Sequence, residues 1–583
     1  MKKIINTFKK CIPVRGEISR ALLSLSKKEY FVFLVLFTIL LVTAVLLLVR
    51  VNNFFTEKVP TQGGSISEGI IGIPRFINPV LAVSDADRDL TALIYSGLMK
   101  KGSDGAIVPD LAESYSVSED GLVYTFVIKN DAVFHDKEPV TADDVVYTIQ
   151  QIKDNTIKSP KKVSWEGVTP EKIDARTIAF RLKTPYAQFL ENTTIGILPS
   201  HIWSSVSAEE FSFSDYNTNA IGSGLYKIES ISKSSSGVPR YYVLVPAKRL
   251  STVPFIEKLT IRFYANENDL VSGLTSKEVD NIGGISPDNA FELATKGYRI
   301  ETTVLPRMFG VFFNQNQAPV FLNKPVVNAL SMAIDKERII AEVLREYGEV
   351  IDGPVPKSLL GVSEAGEEQK STHANRVEEA KKLLAKDGWK MGPDGILEKK
   401  LKKETQRLSF SISTGDTAEL KRAAELIQQD FAAIGAEVEL KVFDTGSLNQ
   451  SVIRPRKYDA LFFGQVIGRE SDLFAFWHSS QRNDPGLNIA MYANSTADKA
   501  LEKSLTIQNP IDRAKQYLAF QSEFAKDIPA VFVYSPQYIY VVGKNIKNVS
   551  IDNMTIPTER FGNIGEWYIE TENIWKIFVK NNY

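Results

Sequence analysis

The sequence predicts an α/β protein, and three observations carry that prediction. From residue 66 onward, strand-like apolar runs alternate with helical ones, the order that packs helices against sheets. Residues 109–149 hold a strand, a turn and a capped helix in close succession. The second half contains two long amphipathic helices with clear stop signals. No internal repeat interrupts this order, and a length of 583 residues suggests several lobes.

Taken from the amino terminus, the first element reads as a membrane span. Residues 31–49 form a 19-residue apolar run broken only by threonines. Such a run is about 28 Å long as a helix at ~1.5 Å per residue, enough to cross a bilayer. Lys2, Lys3, Lys9, Lys10, Arg15, Arg20, Lys27 and Lys28 precede it against only Glu17 and Glu29. The positive-inside rule then makes residues 1–29 a cytoplasmic tail, residues 30–50 a single-pass anchor in the cell membrane, and the remainder extracytoplasmic. A cleaved signal peptide is the competing reading. However, the run is longer than the ~7–15-residue apolar segment of such peptides, and no small-x-small cleavage site follows it before Arg50. The single cysteine, Cys11, lies before the run, whereas a lipid-modified cysteine would follow it. An uncleaved anchor is expected. Residues 51–65, with Pro60, Gly63 and Gly64, read as a flexible linker.

In residues 109–149, Tyr124, Phe126 and Ile128 alternate with Thr125, Val127 and Lys129, the period of a half-buried strand. Asp120-Gly121 before it is turn chemistry. Thr141 precedes a helix in which Val145, Val146, Ile149 and Ile152 share a face and Asp143 and Asp144 occupy the first turn, where the dipole favours carboxylates. Further on, Val377, Ala380, Leu383 and Leu384 make an apolar stripe that stops at Gly388. Leu420, Ala423, Ala424, Ile427, Phe431 and Ile434 make another, with Thr417 as N-cap and Gly435 as stop. Strand-like Val438, Leu440 and Val442 follow. Residues 462–472 form a strand running into a polar loop, followed by Phe474, Phe476 and Trp477.

Composition excludes some partners. Of 69 basic and 70 acidic residues, nine and two fall in residues 1–50, which leaves a formal charge of −8 on the rest. That argues against nucleic acid or anionic lipid as the ligand of the external part. With no cysteine outside, the fold must be held by core burial alone, which a chain of this length can supply.

Residues 109–149 closely resemble the signature region of the family 5 extracytoplasmic solute-binding proteins of ABC importers, the dipeptide-, oligopeptide- and nickel-binding class. Pro109, Leu111, Ala112, Tyr124, Thr125, Phe126, Lys129, Phe134, His135, Asp136, Pro139, Thr141, Ala142, Asp144 and Val145 fit its pattern. Lys137 stands where the family usually has glycine. The resemblance continues in order through Asn78-Pro79, Gly97-Leu98, the turn Gly222-Ser223-Gly224, Lys277 to Asp280, Phe313-Asn314, residues 325–335, residues 380–389 and Ile434-Gly435.

The resemblance implies an α/β, two-lobed, periplasmic-binding-protein-like fold of the large type II form, here preceded by one transmembrane helix. Its lobes would be joined by two crossover strands, near residues 301–307 and 531–538. Lobe I would span residues 66–303 and a return segment, 535–583, with lobe II as the insert 304–534. The implied function is capture of a small solute, a peptide or something similar, by lobe closure and delivery to the permease subunits of an ABC importer, without nucleic acid, cofactor or catalysis. The implied ligand residues are Asn78, the strand residues Phe463, Gly464, Gln465 and Val466, and Arg469, Glu470, Asp472 and Trp477 beyond them. Relatives that bind peptides carry an aspartate for the ligand's free amine where Gly468 stands here, so an N-acetylated ligand is expected to bind nearly as well as a free one.

Catalytic patterns are incomplete. His135, His201, His373 and His478 are scattered without metal-ligand spacing. Ser223 sits in a glycine turn but fits neither GxSxG nor a phosphate loop, and Ser230 to Lys233 matches SxxK without a KTG partner. An anchored cell-wall hydrolase is therefore the weakest alternative. A ligand sensor acting through a separate partner protein is the stronger one, since the cytoplasmic tail is too short to hold an output domain.

Overall fold

A computed structural model describes residues 24–102, 105–186, 188–247, 253–360, 372–402, 404–468 and 472–579. The chain divides into two compact units, residues 1–61 with 570–583, and residues 62–569.

In the first unit, helix α1 spans Lys27–Phe55. Ser26 caps it by accepting from Glu29 N, and the Glu29 carboxylate accepts from Ser26 N in return. Its internal polar groups are satisfied within the helix: Thr38 Oγ1 donates to Leu34 O and Thr43 Oγ1 to Ile39 O. No side chain of α1 is buried. Among the described residues it is the one helix long and apolar enough to cross a membrane. The segment expected to be a flexible linker is instead structured. The helix continues to Phe55, and strand β1 (Thr56–Pro60) pairs antiparallel with the terminal strand Thr571–Trp575. Local composition could not show this, because the pairing partner lies over 500 positions away. Residues 570–583, expected to close the return segment of lobe I, accordingly group with α1 and β1.

The second unit opens with strand β2 (Ser65–Ile71), which runs parallel to both Lys258–Tyr264 and Asn281–Gly283. The signature region folds as its pattern predicts. Strand β3 (Val123–Ile128) buries Tyr124, Phe126 and Ile128 and lies inside a four-stranded antiparallel sheet. Lys137 takes φ 80°, the left-handed region that glycine enters without steric penalty. Helix α2 (Ala142–Lys153) buries Val145, Ile149 and Ile152. The buried Asp144 ties its start together. One carboxylate oxygen accepts from Thr141 N and Oγ1, the other from Ser200 N and Oγ.

Strands β4 (Arg299–Val304) and β5 (Arg307–Phe313) are separated only by Leu305-Pro306. Beyond them, helix α3 (Ala418–Ala433) buries Ala423, Ala424, Ile427 and Phe431, as its stripe predicts. Strand β6 (Ala460–Val466) leads, past the loop, to helix α4 (Asp472–Trp477). The 13-residue strand β7 (Ala530–Val542) then runs antiparallel to β4 along Gln537–Val542 and to β5 along Ala530–Tyr534. Ser535 Oγ lies 2.8 Å from both Leu305 O and Arg307 O, clamping the two strands at their midpoint.

The hydrophobic interior follows the same partition. One large core takes residues between Ile66 and Ile261 and returns for Tyr538 to Trp567. Two others draw on residues between Met308 and Tyr534. The paired strands β4–β5 and β7 cross from the first region to the second, so the unit is two-lobed and α/β throughout.

Candidate functional site

Where the strands cross, a cavity of about 2120 Å³ opens with walls drawn from both core regions. That is roughly twice the upper end of the ~300–1,000 Å³ usual for small-molecule pockets. The crossing segment contributes Thr302 to Pro306, Ser535 and Gln537. The first region supplies Arg88, Lys101, Lys161 and Lys183 together with Glu166, Glu191, Asp552 and Glu559. Lys101 Nζ and Glu559 Oε2 pair at 3.0 Å, and Glu559 also accepts from Thr555 N and Oγ1. The second region supplies Glu349, Asp352, Asp472 and Glu502 and, among the described lining residues, no Lys or Arg. Asp352 is paired with Lys336 at 2.5 Å. The walls are thus mixed on one side and acidic on the other.

The residues expected from sequence divide among four places. Val466 and Asp472 line this cavity. Phe463, Gly464 and Gln465 line a smaller adjoining hollow of about 240 Å³, with Leu448, Phe476 and Ile489. Arg469 and Glu470 lie outside the described residues. Asn78 and Trp477 line neither space. Asn78 is fully buried, donating to Asn217 Oδ1 at 3.0 Å and accepting from Val80 N, so it organises a turn. The Trp477 ring is packed among Phe312, Phe520, Phe524 and Phe532. The cause is helix geometry. Five residues at 3.6 per turn put Trp477 about 140° around α4 from Asp472, so one faces the cavity and the other the core.

Two strand residues have further constraints. A Cβ on Gly464 would stand 2.6 Å from the Phe309 ring on β5, so this glycine is needed for strand packing. Gln465 is 3% exposed, and among the described residues neither its amide nitrogen nor its amide oxygen finds a hydrogen-bond partner. An unpaired buried amide costs about 1–3 kcal/mol. At Gly468, a Cβ would lie 3.8 Å from Asp472 Oδ2, so the Asp472 carboxylate stands beside this position.

Ser223 is wholly buried outside the cavity wall. Its glycine neighbours are fixed by contact: a Cβ on Gly222 would come within 2.1 Å of Ile94 O. His135 clamps that same turn. Its Nδ1 accepts from Gly222 N at 3.3 Å, its own N–H donates to Gly222 O, and its Nε2 meets Gly224 O at 3.1 Å, so the ring holds its proton on Nε2. The Glu349–Gly353 wall and the Asp552–Ile556 wall were not legible in the sequence. The first begins in the three-residue strand Gly348–Val350 and the second is irregular, both too short to show periodicity, and only the fold brings them to the cavity.

A two-lobed α/β unit with a large cleft at paired crossing strands defines the class of extracytoplasmic solute-binding proteins. The profile of the bacterial extracellular solute-binding proteins, family 5 middle region, matches residues 106–485, and the chain belongs to that family. The oligopeptide-binding protein AppA of Bacillus subtilis is 27% identical over 520 residues, covering 88% of this chain and 92% of its own length. The solved structure of that AppA with a nonapeptide superposes with a TM-score of 0.64 at 26% identity, covering 88% of this chain and all of the other. The ABC transporter substrate-binding protein CtaP of Listeria monocytogenes gives a TM-score of 0.72 at 25% identity, covering 87% of this chain and all of its own.

Proposed function

We propose that this protein is a membrane-anchored receptor that captures a peptide-like solute by closing its lobes and presents it to the permease subunits of an ABC importer. The observation that supports this reading is the cleft of about 2120 Å³ whose two walls belong to separate core regions that β4–β5 and β7 cross. A ligand touching both walls stabilises the closed arrangement because only that arrangement makes both sets of contacts. In this reading lobe I is 66–303 with the return from 535, lobe II is 304–534, and α1 holds the receptor at the outer face of the cell membrane. The nonapeptide complex of AppA supports a peptide ligand, as the cleft has room for several residues. Val466, Asp472, Gln465 and the loop with Arg469 and Glu470 are the proposed ligand contacts. The amine of a peptide is assigned to Asp472, whose carboxylate stands beside Gly468, an alternative to a ligand with a blocked amine that the matched peptide pair below distinguishes.

Small-angle scattering of the external part, with and without a saturating peptide identified by native mass spectrometry of the purified protein, tests the reading. A smaller radius of gyration on binding is expected. An unchanged radius at proven saturation would overturn closure.

A further inference from the structure

The first unit ends in an aromatic cluster that neither the binding cleft nor the anchor requires. The register Thr56↔Trp575 sets Trp575 directly opposite the first residue after α1. Its ring stacks on Phe55, with centroids 6.0 Å apart and planes 12° apart. Phe55 in turn meets Phe54 edge-on at 5.2 Å, and Lys576 Nζ lies 5.5 Å over the Phe54 ring. Yet these groups are open: Phe54 is 70%, Trp575 47% and Ile577 68% exposed. A five-residue, two-stranded ribbon is marginal in water by itself. This one also presents its apolar residues at one end.

Position along the chain says what covers that end. The apolar run of α1 stops at Val49, and six residues at ~1.5 Å each place Phe55 about 9 Å beyond it, in the headgroup layer of a bilayer that the helix spans. Trp and Lys are the residues that settle there, the ring amphipathic and the ammonium meeting phosphate. Basic residues flank the aromatic group, Arg50 in the last turns of α1 and Lys576 just after Trp575, while Glu57 pairs with Ile574 one step in and Glu572 lies opposite Val59.

We infer that the C-terminal segment from Trp575 to Ile577 is a second membrane contact, seated in the phospholipid headgroup layer of the outer leaflet beside the exit of α1. The inference rests on α1 being a retained anchor. With the helix it makes a two-point attachment, joining the exit of α1 and residues 575–577 at one patch of lipid surface. This restrains rotation and tilt about the helix axis in a way that a single span cannot.

The test uses the full chain in liposomes of phosphatidylcholine and phosphatidylglycerol, in a Cys11→Ser background. A polarity-sensitive fluorophore is placed through Ile577→Cys, Glu572→Cys or Leu40→Cys in separate proteins. Glu572 pairs with Val59, three positions farther along β1, or about 10 Å from the aromatic end. The expected result is blue-shifted emission at 577, quenched by headgroup-attached spin labels. Water-like, unquenched emission is expected at 572, and quenching only by labels deep in the acyl chain at 40. Adding Trp575→Glu should return the 577 label to water-like emission. Water-like emission at 577 with a deeply quenched label at 40 overturns the second contact and leaves the anchor standing. A label at 40 that escapes quenching overturns both.

Discussion

Asp472 in the cleft and Gln465 in the smaller hollow carry the chemistry that single residues contribute. Asp472 opens α4 and lines the cavity, with its carboxylate beside Gly468. Asp472→Asn is expected to weaken binding of a free-amine peptide about ten-fold or more, since a charge-assisted bond contributes about 1.5–3 kcal/mol. The N-acetylated peptide should bind the original protein as weakly as the free peptide binds the variant. Calorimetry on the matched peptide pair checks this, and equal affinity of both peptides for the original protein would remove Asp472 from the role. Gln465 shows the opposite balance. Its unpaired amide destabilises the empty protein, so Gln465→Met should raise unfolding stability by about 1–2 kcal/mol in urea titration. The same change should weaken the ligand that completes those bonds, and a loss of stability instead would mean that the amide is already satisfied. Position 465 reads in the sequence only as a polar residue in a strand, and nothing local reveals that its partners are missing.

Among elements, the buried ion cluster is the largest feature that sequence patterns concealed. Arg560 donates from Nε to Glu68 at 2.9 Å and from its two terminal nitrogens to Asp89 at 3.1 and 2.5 Å. Tyr540 donates to Glu68 at 2.7 Å and Thr558 to Asp89 at 2.7 Å. One guanidinium thus joins β2, the helix Asp85–Ile94, β7 and the carboxyl-terminal turns, at 3% exposure or less. Burial raises the Glu68 carboxyl above its ordinary value, and the Arg560 charge and the Tyr540 hydrogen bond pull against that rise. Folding therefore favours the protonated form. The contribution of Glu68 to stability is full below its unfolded-state value and is lost as pH rises through the folded-state value. Arg560→Leu should cost about 3–5 kcal/mol near neutral pH, because it leaves two buried carboxylates without their cation. The deficit should shrink near pH 4, because the Glu68 carboxyl, raised by burial, takes up its proton as pH falls. Denaturant melts at both pH values check this, and a deficit independent of pH would mean that packing, not charge, is what Arg560 supplies.

At the scale of the whole molecule, the two units predict how the chain can be cut. Residues 62–569 contain the cores of both lobes and the cleft between them. A protein of those residues alone is expected to be soluble and monomeric, and to unfold within about 5 °C of the detergent-solubilised full chain, because a unit with its own cores folds independently. Calorimetry and sedimentation check it, and aggregation of the shorter protein would show that the terminal ribbon supports the lobes.

What the sequence by itself determined is what short-range periodicity can encode. The apolar run of α1, the alternating strand β3, the capped start of α2 and the stripe of α3 all follow from patterns that repeat within a few turns or strand steps, because their burial depends on which face each residue occupies. The order of the signature motifs extended this to the family and its two-lobed α/β fold. Only the tertiary structure decided what depends on meetings between distant residues. It turned a Gly- and Pro-containing stretch into strand β1 by bringing residues 571–575 beside it. It rotated Trp477 into the core and Asp472 into the cleft, and it collected Glu68, Asp89 and Arg560 around one buried charge. In each case the deciding energy is a contact across long sequence separation, which leaves no local periodicity to be read.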